Sequence, residues 1–224
     1  MLEKYNIEIL YEDNHILVVT KPEGILSQKD NSNDLDLLTI LKSYIKEKYN
    51  KPGEVYLGLV HRLDRRVGGV MVFAKTSKAA SRISSDIRER KFMKTYLAIV
   101  DGKVSENKRL VDQLIKVNKE AKIVEEVENS QEAILSYEVI KNFVMDNNDF
   151  SLLKIDLETG RYNQIRVQLA NNNTPIINDY KYGYKKKNYN DQLGLWCVEI
   201  SFNHPTLKEV MTFRKEPTGG IWSK

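Results

Sequence analysis

A single cysteine, Cys197, excludes an internal disulfide and a cage of thiolate metal ligands. Three histidines, at positions 15, 61 and 204, form no His/Cys cluster with the spacing of a metal site. Neither a GxGxxG run nor a P-loop occurs, so no fingerprint of a dinucleotide or nucleotide cofactor is present. No apolar run approaches the roughly 20 residues of a membrane span. The opening MLEKYNIEIL also lacks the apolar stretch of a signal peptide. An excess of charge is nearly missing too: 35 basic against 31 acidic side chains leave +4, a weak argument by itself for a polyanionic partner. These absences predict a cytoplasmic chain with no metal, no cofactor and no membrane contact. What is present is ordinary for a globular protein, 41% hydrophobic and 29% charged over 224 residues. That length suffices for one large domain or two small ones.

The basic residues are unevenly placed. They gather at Arg62, Arg65 and Arg66, from Arg88 to Lys94, and from Tyr180 to Lys187, where tyrosines interleave with them. Cations beside aromatic rings suit phosphates and unstacked bases, although a run such as Lys185-Lys186-Lys187 serves equally as a solvated face. The stretch Val55 to Thr76, VYLGLVHRLDRRVGGVMVFAKT, sets two apolar, strand-like runs around one acid among four potential cations: His61, Arg62, Arg65 and Arg66. Positive charge stabilises an ionised carboxylate, which makes Asp64 the first candidate for chemistry. A structural ion pair at a strand end accounts for the same pattern.

In chain order, IEIL and ILVVTKP read as strands joined by the polar turn Glu12 to His15, with His15 at the surface. Asp34 to Tyr49 is predicted helical, with Leu38, Leu41, Ile45 and Tyr49 as its apolar stripe and Asn50-Lys51-Pro52-Gly53 as its breaker. A second helix, capped by Thr76 or Ser77, should run to about Arg90 with Ala79, Ala80, Ile83 and Ile87 facing the core. KFMKTYLAIVDG reads as a strand. Antiparallel strands are expected around Ile115 to Val124 and Ala133 to Ile140, then a turn at 146–149 and the strand FSLLKIDLE. Thr159 to Ala170, TGRYNQIRVQLA, reads as a turn leading into a short helix. Cys197 belongs in a buried strand, and His204 before Pro205 in a turn that ends one.

HRLDR followed by Gly-Gly and an apolar run ending FAKT resembles the signature of the RluA-type family of RNA pseudouridine synthases. VVTKPEG is similar to that family's first motif, KTYLA to its KxYLA element, GRYNQIRVQLA to GRTHQIRVHLA, TPIINDYKYG to PILGDxKYG, and LWCVEISFNHP to its closing strand pair. The resemblance runs from Val18 to about Phe213 with its motifs in order. It implies a single α+β domain over residues 1–224, with a mainly antiparallel bent sheet, flanking helices, a central cleft, and two intimately packed subdomains as an allowed variant. It leaves no room for the small accessory RNA-binding domain with which many relatives begin.

It also implies an isomerase that converts a uridine in ribosomal or transfer RNA to pseudouridine without a cofactor; a monomer is the default expectation. By the match Asp64 is the catalytic carboxylate, Arg166 its ion-pair partner and Tyr96 the ring that stacks on the base. Arg62, His61, Arg65, Lys21, Arg161, Gln164, Lys181 and Tyr182 become the candidate substrate contacts. The chain departs from the family at Arg66-Val67-Gly68-Gly69, where Asp-Thr-Ser-Gly is common, and at Asn163 and Gln168, where histidines are common. Those departures keep open a catalytically inactive RNA-binding or RNA-folding protein on the same scaffold. A glycosidase with a lone acid is a weaker rival, because no second acid or base is identifiable.

Overall fold

The computed structural model describes residues 2–32 and 34–223. Its strands in chain order are β1 (Glu8–Glu12), β2 (Ile16–Lys21), β3 (Gly58–Leu59), β4 (Gly68–Ala74), β5 (Met93–Asp101), β6 (Lys108–Val117), β7 (Glu120–Val124), β8 (Gln131–Met145), β9 (Asn148–Leu157), β10 (Leu195–Asn203) and β11 (Val210–Arg214). The α-helices among the described residues are α1 (Leu37–Lys48), α2 (Ser77–Arg88) and α3 (Gln164–Asn171). This is the α+β class the sequence predicts. The chain divides into two compact units: Met1–Met93 with Cys197–Glu216, and Lys94–Trp196 with Pro217–Lys224.

In the first unit the strands run in the order β1-β2-β4-β10, with β3 beside β4 and β11 beside β10. Strands β2 and β4 are buried along their whole length, which is why ILVV and VMVFA are continuous apolar runs rather than alternating ones. Gly69 has φ +132°, and a Cβ there would lie 2.3 Å from the carbonyl oxygen of Cys197, so β4 reaches β10 only without a side chain. Helix α1 begins later than predicted. Asp36 caps it, accepting the Thr39 N–H at 3.0 Å, and the buried stripe is Leu37, Ile40, Leu41 and Ile45. Leu41 and Ile45 are buried as the sequence predicts, but Leu37 and Ile40 take the place of Leu38 at the first turn, and Tyr49 is left exposed. Helix α2 starts at its predicted cap, Thr76, but only Ala79 and Ile83 are buried on it.

Glu12, at the end of β1, collects Lys48 and Tyr49 from the C-terminal end of α1 at 2.7 and 2.8 Å, Tyr44 at 3.0 Å, and Lys75 after β4 at 2.8 Å. Burial pushes its pKa up, but these four donors outweigh that and hold the carboxyl down at about 2. His204 ends β10 as expected and is buried. Its Nδ1 accepts the Leu207 N–H at 3.0 Å and its Nε2 lies 2.8 Å from Asp13.

In the second unit the order is β5-β9-β8-β6-β7, every neighbouring pair antiparallel. The single strand expected over 115–124 is a hairpin, because Asn118 and Lys119 both take left-handed φ values of 46° and 65°. Helix α3 lies against β6 and β7 and buries Val167 with Leu114, Ala121 and Ala133. Ile99, Phe150, Ile177, Tyr184, Tyr189 and Ile221 form a second cluster in the same unit.

Candidate active site

The Asp64 loop lies in the first unit, between β3 and β4, and one preceding segment, 21–27, cradles it. Lys21 is fully buried, and its Nζ donates to the carbonyls of Pro22 at 3.0 Å, Arg65 at 3.2 Å and Val67 at 2.8 Å. Burial pushes this ammonium down to about 7, against the pull of the Asp64 and Glu23 carboxylates. The backbone N–H of Gly24 donates to Arg65 O at 2.8 Å, and Arg65 Nε returns a bond to Gly24 O at 2.9 Å. Ser27 Oγ grips Leu63 twice, donating to its carbonyl at 2.7 Å and accepting its N–H at 3.1 Å.

Within that cradle Asp64 closes a short turn. Its Oδ1 accepts the Arg66 N–H at 2.9 Å and its carbonyl accepts the Val67 N–H at 3.0 Å, so the half-buried carboxylate is aimed by the main chain. His61 Nε2 accepts the Val72 N–H at 3.1 Å, and its ring lies 5.1 Å from that of Phe92, which makes it part of the wall of β4. Arg62 is exposed. Arg65 is exposed and also pairs with Asp34 at 2.6 Å. Lys21, expected among the substrate contacts, lies beneath the loop, because three carbonyls that face inward need its three protons.

The second unit gathers Tyr96, Arg161, Gln164, Arg166, Lys181 and Tyr182. Arg166, 5% exposed on α3, forks onto Asp179: Nε to Oδ2 and Nη2 to Oδ1, both at 2.7 Å. A bidentate pair of this kind fixes both the charge and the plane of the guanidinium. The Tyr182 ring lies 5.0 Å from the guanidinium carbon. Its hydroxyl accepts from Asn163 Nδ2 at 3.0 Å and from the Ala121 N–H at 2.9 Å. Asn163 stands at the left-handed φ of 51° where α3 begins, a conformation asparagine tolerates well.

Gln164 is buried, its Oε1 accepting from Thr159 Oγ1 at 2.8 Å and the Arg161 N–H at 3.0 Å, while its Nε2 donates to Ile134 O at 3.1 Å. Arg161 Nε donates to Glu132 O at 2.8 Å and Lys181 Nζ to Lys119 O at 2.6 Å. Tyr96 is 6% exposed on β5, opposite Ile155. Of the lysine tract, Lys186 pairs with Asp101 at 2.6 Å and Lys187 with Asp146 at 2.9 Å, so two of its three charges are neutralised on the protein.

Two contributors were not foreseen in the sequence. Asp179 is the one carboxylate in TPIINDYKYG, a signal available to a reading that asked what balances Arg166. Ser27 carries no signal, since its role depends on which backbone passes beside it. Among the described residues no group of three or more His, Cys, Asp or Glu could hold a metal ion, and no helix is long and apolar enough to cross a membrane.

Residues 15–171 match the family described as RNA pseudouridylate synthase. The chain belongs to that family. It is 33% identical over 215 residues to a "Ribosomal large subunit pseudouridine synthase C" of Buchnera aphidicola subsp. Baizongia pistaciae, covering 92% of this chain and 65% of the relative. It is 32% identical over 233 residues to an uncharacterized RNA pseudouridine synthase of Aquifex aeolicus, covering 96% of this chain and 70% of the relative. The chain thus spans about two thirds of the length of these curated relatives. The solved structure of Human RNA Pseudouridylate Synthase Domain Containing 4 shares the fold, with a TM-score of 0.75 at 22% identity over 93% of this chain and 87% of that one. Pseudouridine synthases are isomerases that act on RNA, and the α+β scaffold described above is theirs.

Proposed function

We propose that this chain isomerises a uridine in RNA to pseudouridine, with Asp64, Arg166 and Tyr96 acting on one extruded nucleotide. The N1–C1′ bond breaks, the uracil turns, C5 bonds to C1′, the C5 proton leaves to water, and N1 takes up a proton from water in its place. Asp64 acts at the sugar, as a nucleophile at C1′ or as a base toward the C2′ proton, and both roles require an ionised carboxylate. Tyr96 stacks on the detached base, and Arg62 stacks its guanidinium into the space the base vacates. No cofactor is needed, since substrate and product have the same composition. The enzyme acts as a monomer on large-subunit ribosomal RNA, the substrate class in the Buchnera relative's name.

The observation that carries this reading is the ordered turn at Asp64 inside a chain that matches the family over residues 15–171. The departure at Asn163 fits it, because asparagine tolerates the left-handed backbone there and its Nδ2 donates to the Tyr182 hydroxyl, whereas nothing in the structure explains Val67 and Gly68. Tritium release from RNA carrying 5-tritiated uridine tests it: label freed while the base stays in the polymer is the expected result. RNA binding without release would instead identify an inactive RNA-folding protein, and release of free uracil a glycosidase.

A further inference from the structure

We propose that Ser27 is a positioning residue for the reaction: its hydroxyl sets the main chain that presents Asp64. This rests on the reading of Asp64 given above. Ser27 is buried, and its own backbone is fixed by the start of α1, where the Leu37 N–H donates to Leu26 O at 2.8 Å and the Leu38 N–H to Ser27 O at 3.3 Å. From that fixed point the side chain reaches Leu63, the residue before Asp64. One oxygen donates to the Leu63 carbonyl and accepts the Leu63 N–H, taking the place of a partner strand for a residue outside any strand. Met71 Sδ, 3.7 Å from the same oxygen, closes the apolar side of the contact.

Of the contacts that order the loop, Lys21 and Gly24 hold positions 65 and 67, after Asp64, while Ser27 holds the position before it. Removing the hydroxyl leaves Leu63 N and O without this partner and lets Asp64 pivot about its remaining anchors. A displacement of about 1 Å in a reacting group is enough for a large loss of rate.

The test compares Ser27→Ala, Ser27→Cys and Ser27→Thr with wild type in steady-state tritium release, with hydrogen exchange at the Leu63 amide read in parallel without RNA. Ser151→Ala serves as a control. Ser151 is another buried serine, which accepts the Val104 N–H at 2.8 Å and donates to Gly102 O at 2.8 Å, and it lies in neither the 21–27 nor the 63–67 segment. Expected are a fall in kcat of about tenfold or more for Ala and Cys with KM within about twofold, faster Leu63 exchange, and recovery in Thr. Ser151→Ala should lower the unfolding midpoint yet leave kcat near wild type. Wild-type kcat in Ser27→Ala or Ser27→Cys overturns the inference, as does an equal fall in kcat for Ser151→Ala. An inert wild type overturns the functional reading itself, a result distinct from these.

Discussion

Around Asp64 the ordering contacts described above are made largely to main-chain atoms, whereas Arg166 is ordered by a second charge, gripped at two points by the Asp179 carboxylate. Backbone donors fix the direction in which a carboxylate points. A buried guanidinium demands a counter-charge to be tolerated at all, and Asp179, fully buried beside it, meets that demand. The first arrangement is tuned for position and the second for charge balance. Substitutions in the two regions should therefore differ in what they damage.

The largest effect expected is that of Asp64→Asn, which should reduce tritium release by about a thousandfold or more. Asparagine still offers an oxygen to the Arg66 N–H, so the urea midpoint should stay near wild type; a large loss of stability would break the comparison. Asp179→Ala should do the reverse first, destabilising the fold by about 3 to 5 kcal/mol in urea unfolding, because Arg166 keeps its charge in a buried site. If Asp179→Ala instead unfolds like wild type and loses only activity, charge balance is not what that pair supplies.

Glu12 extends the contrast to a buried charge inside the same unit as Asp64. Its folded pKa, about 2, lies below the ordinary glutamate value, so its contribution is complete above about pH 4.5 and disappears as pH falls through 2. The difference in unfolding free energy between wild type and Glu12→Gln should be flat above pH 5 and shrink by about 3 kcal/mol toward pH 2. Lys21 has a slope of the same sign in a higher pH range, although its shift costs stability at neutral pH where that of Glu12 adds it. Its folded pKa, near 7, lies below the free-lysine value, so the unfolded chain binds the extra proton between 7 and 10.5 and stability rises with pH there. Against Lys21→Met, wild type should gain about 1 kcal/mol per pH unit between pH 7.5 and 9. A flat difference would mean that the three carbonyls keep the amine charged throughout.

Much of the scaffold was readable before any coordinates. Periodicity and caps located α1, α2 and the strands of the first unit, because each depends on neighbours in the chain. On α1 the middle of the stripe, Leu41 and Ile45, is legible in the sequence, while its ends are not, since the Asp36 cap starts the helix at Leu37 and Tyr49 lies past its end. The hairpin at Asn118-Lys119 was missed because lysine is not a residue that announces a left-handed turn. For the site, the family's motifs pointed to Asp64, Tyr96 and Arg166, but not to what holds the first and last of these in place.

The sequence by itself determined that this is an α+β chain of the pseudouridine synthase family, since burial pattern and motif order are properties of the linear string. Only the folded chain decided the supporting roles. Lys21 is a buried strut, Ser27 a substitute for a missing strand and Asp179 the counter-charge of Arg166, because the partners Val67, Leu63 and Arg166 lie 46, 36 and 13 positions away and are brought near by packing. Hydrogen bonds and ion pairs act over about 3 Å of space, and distance along the chain says little about which groups come that close.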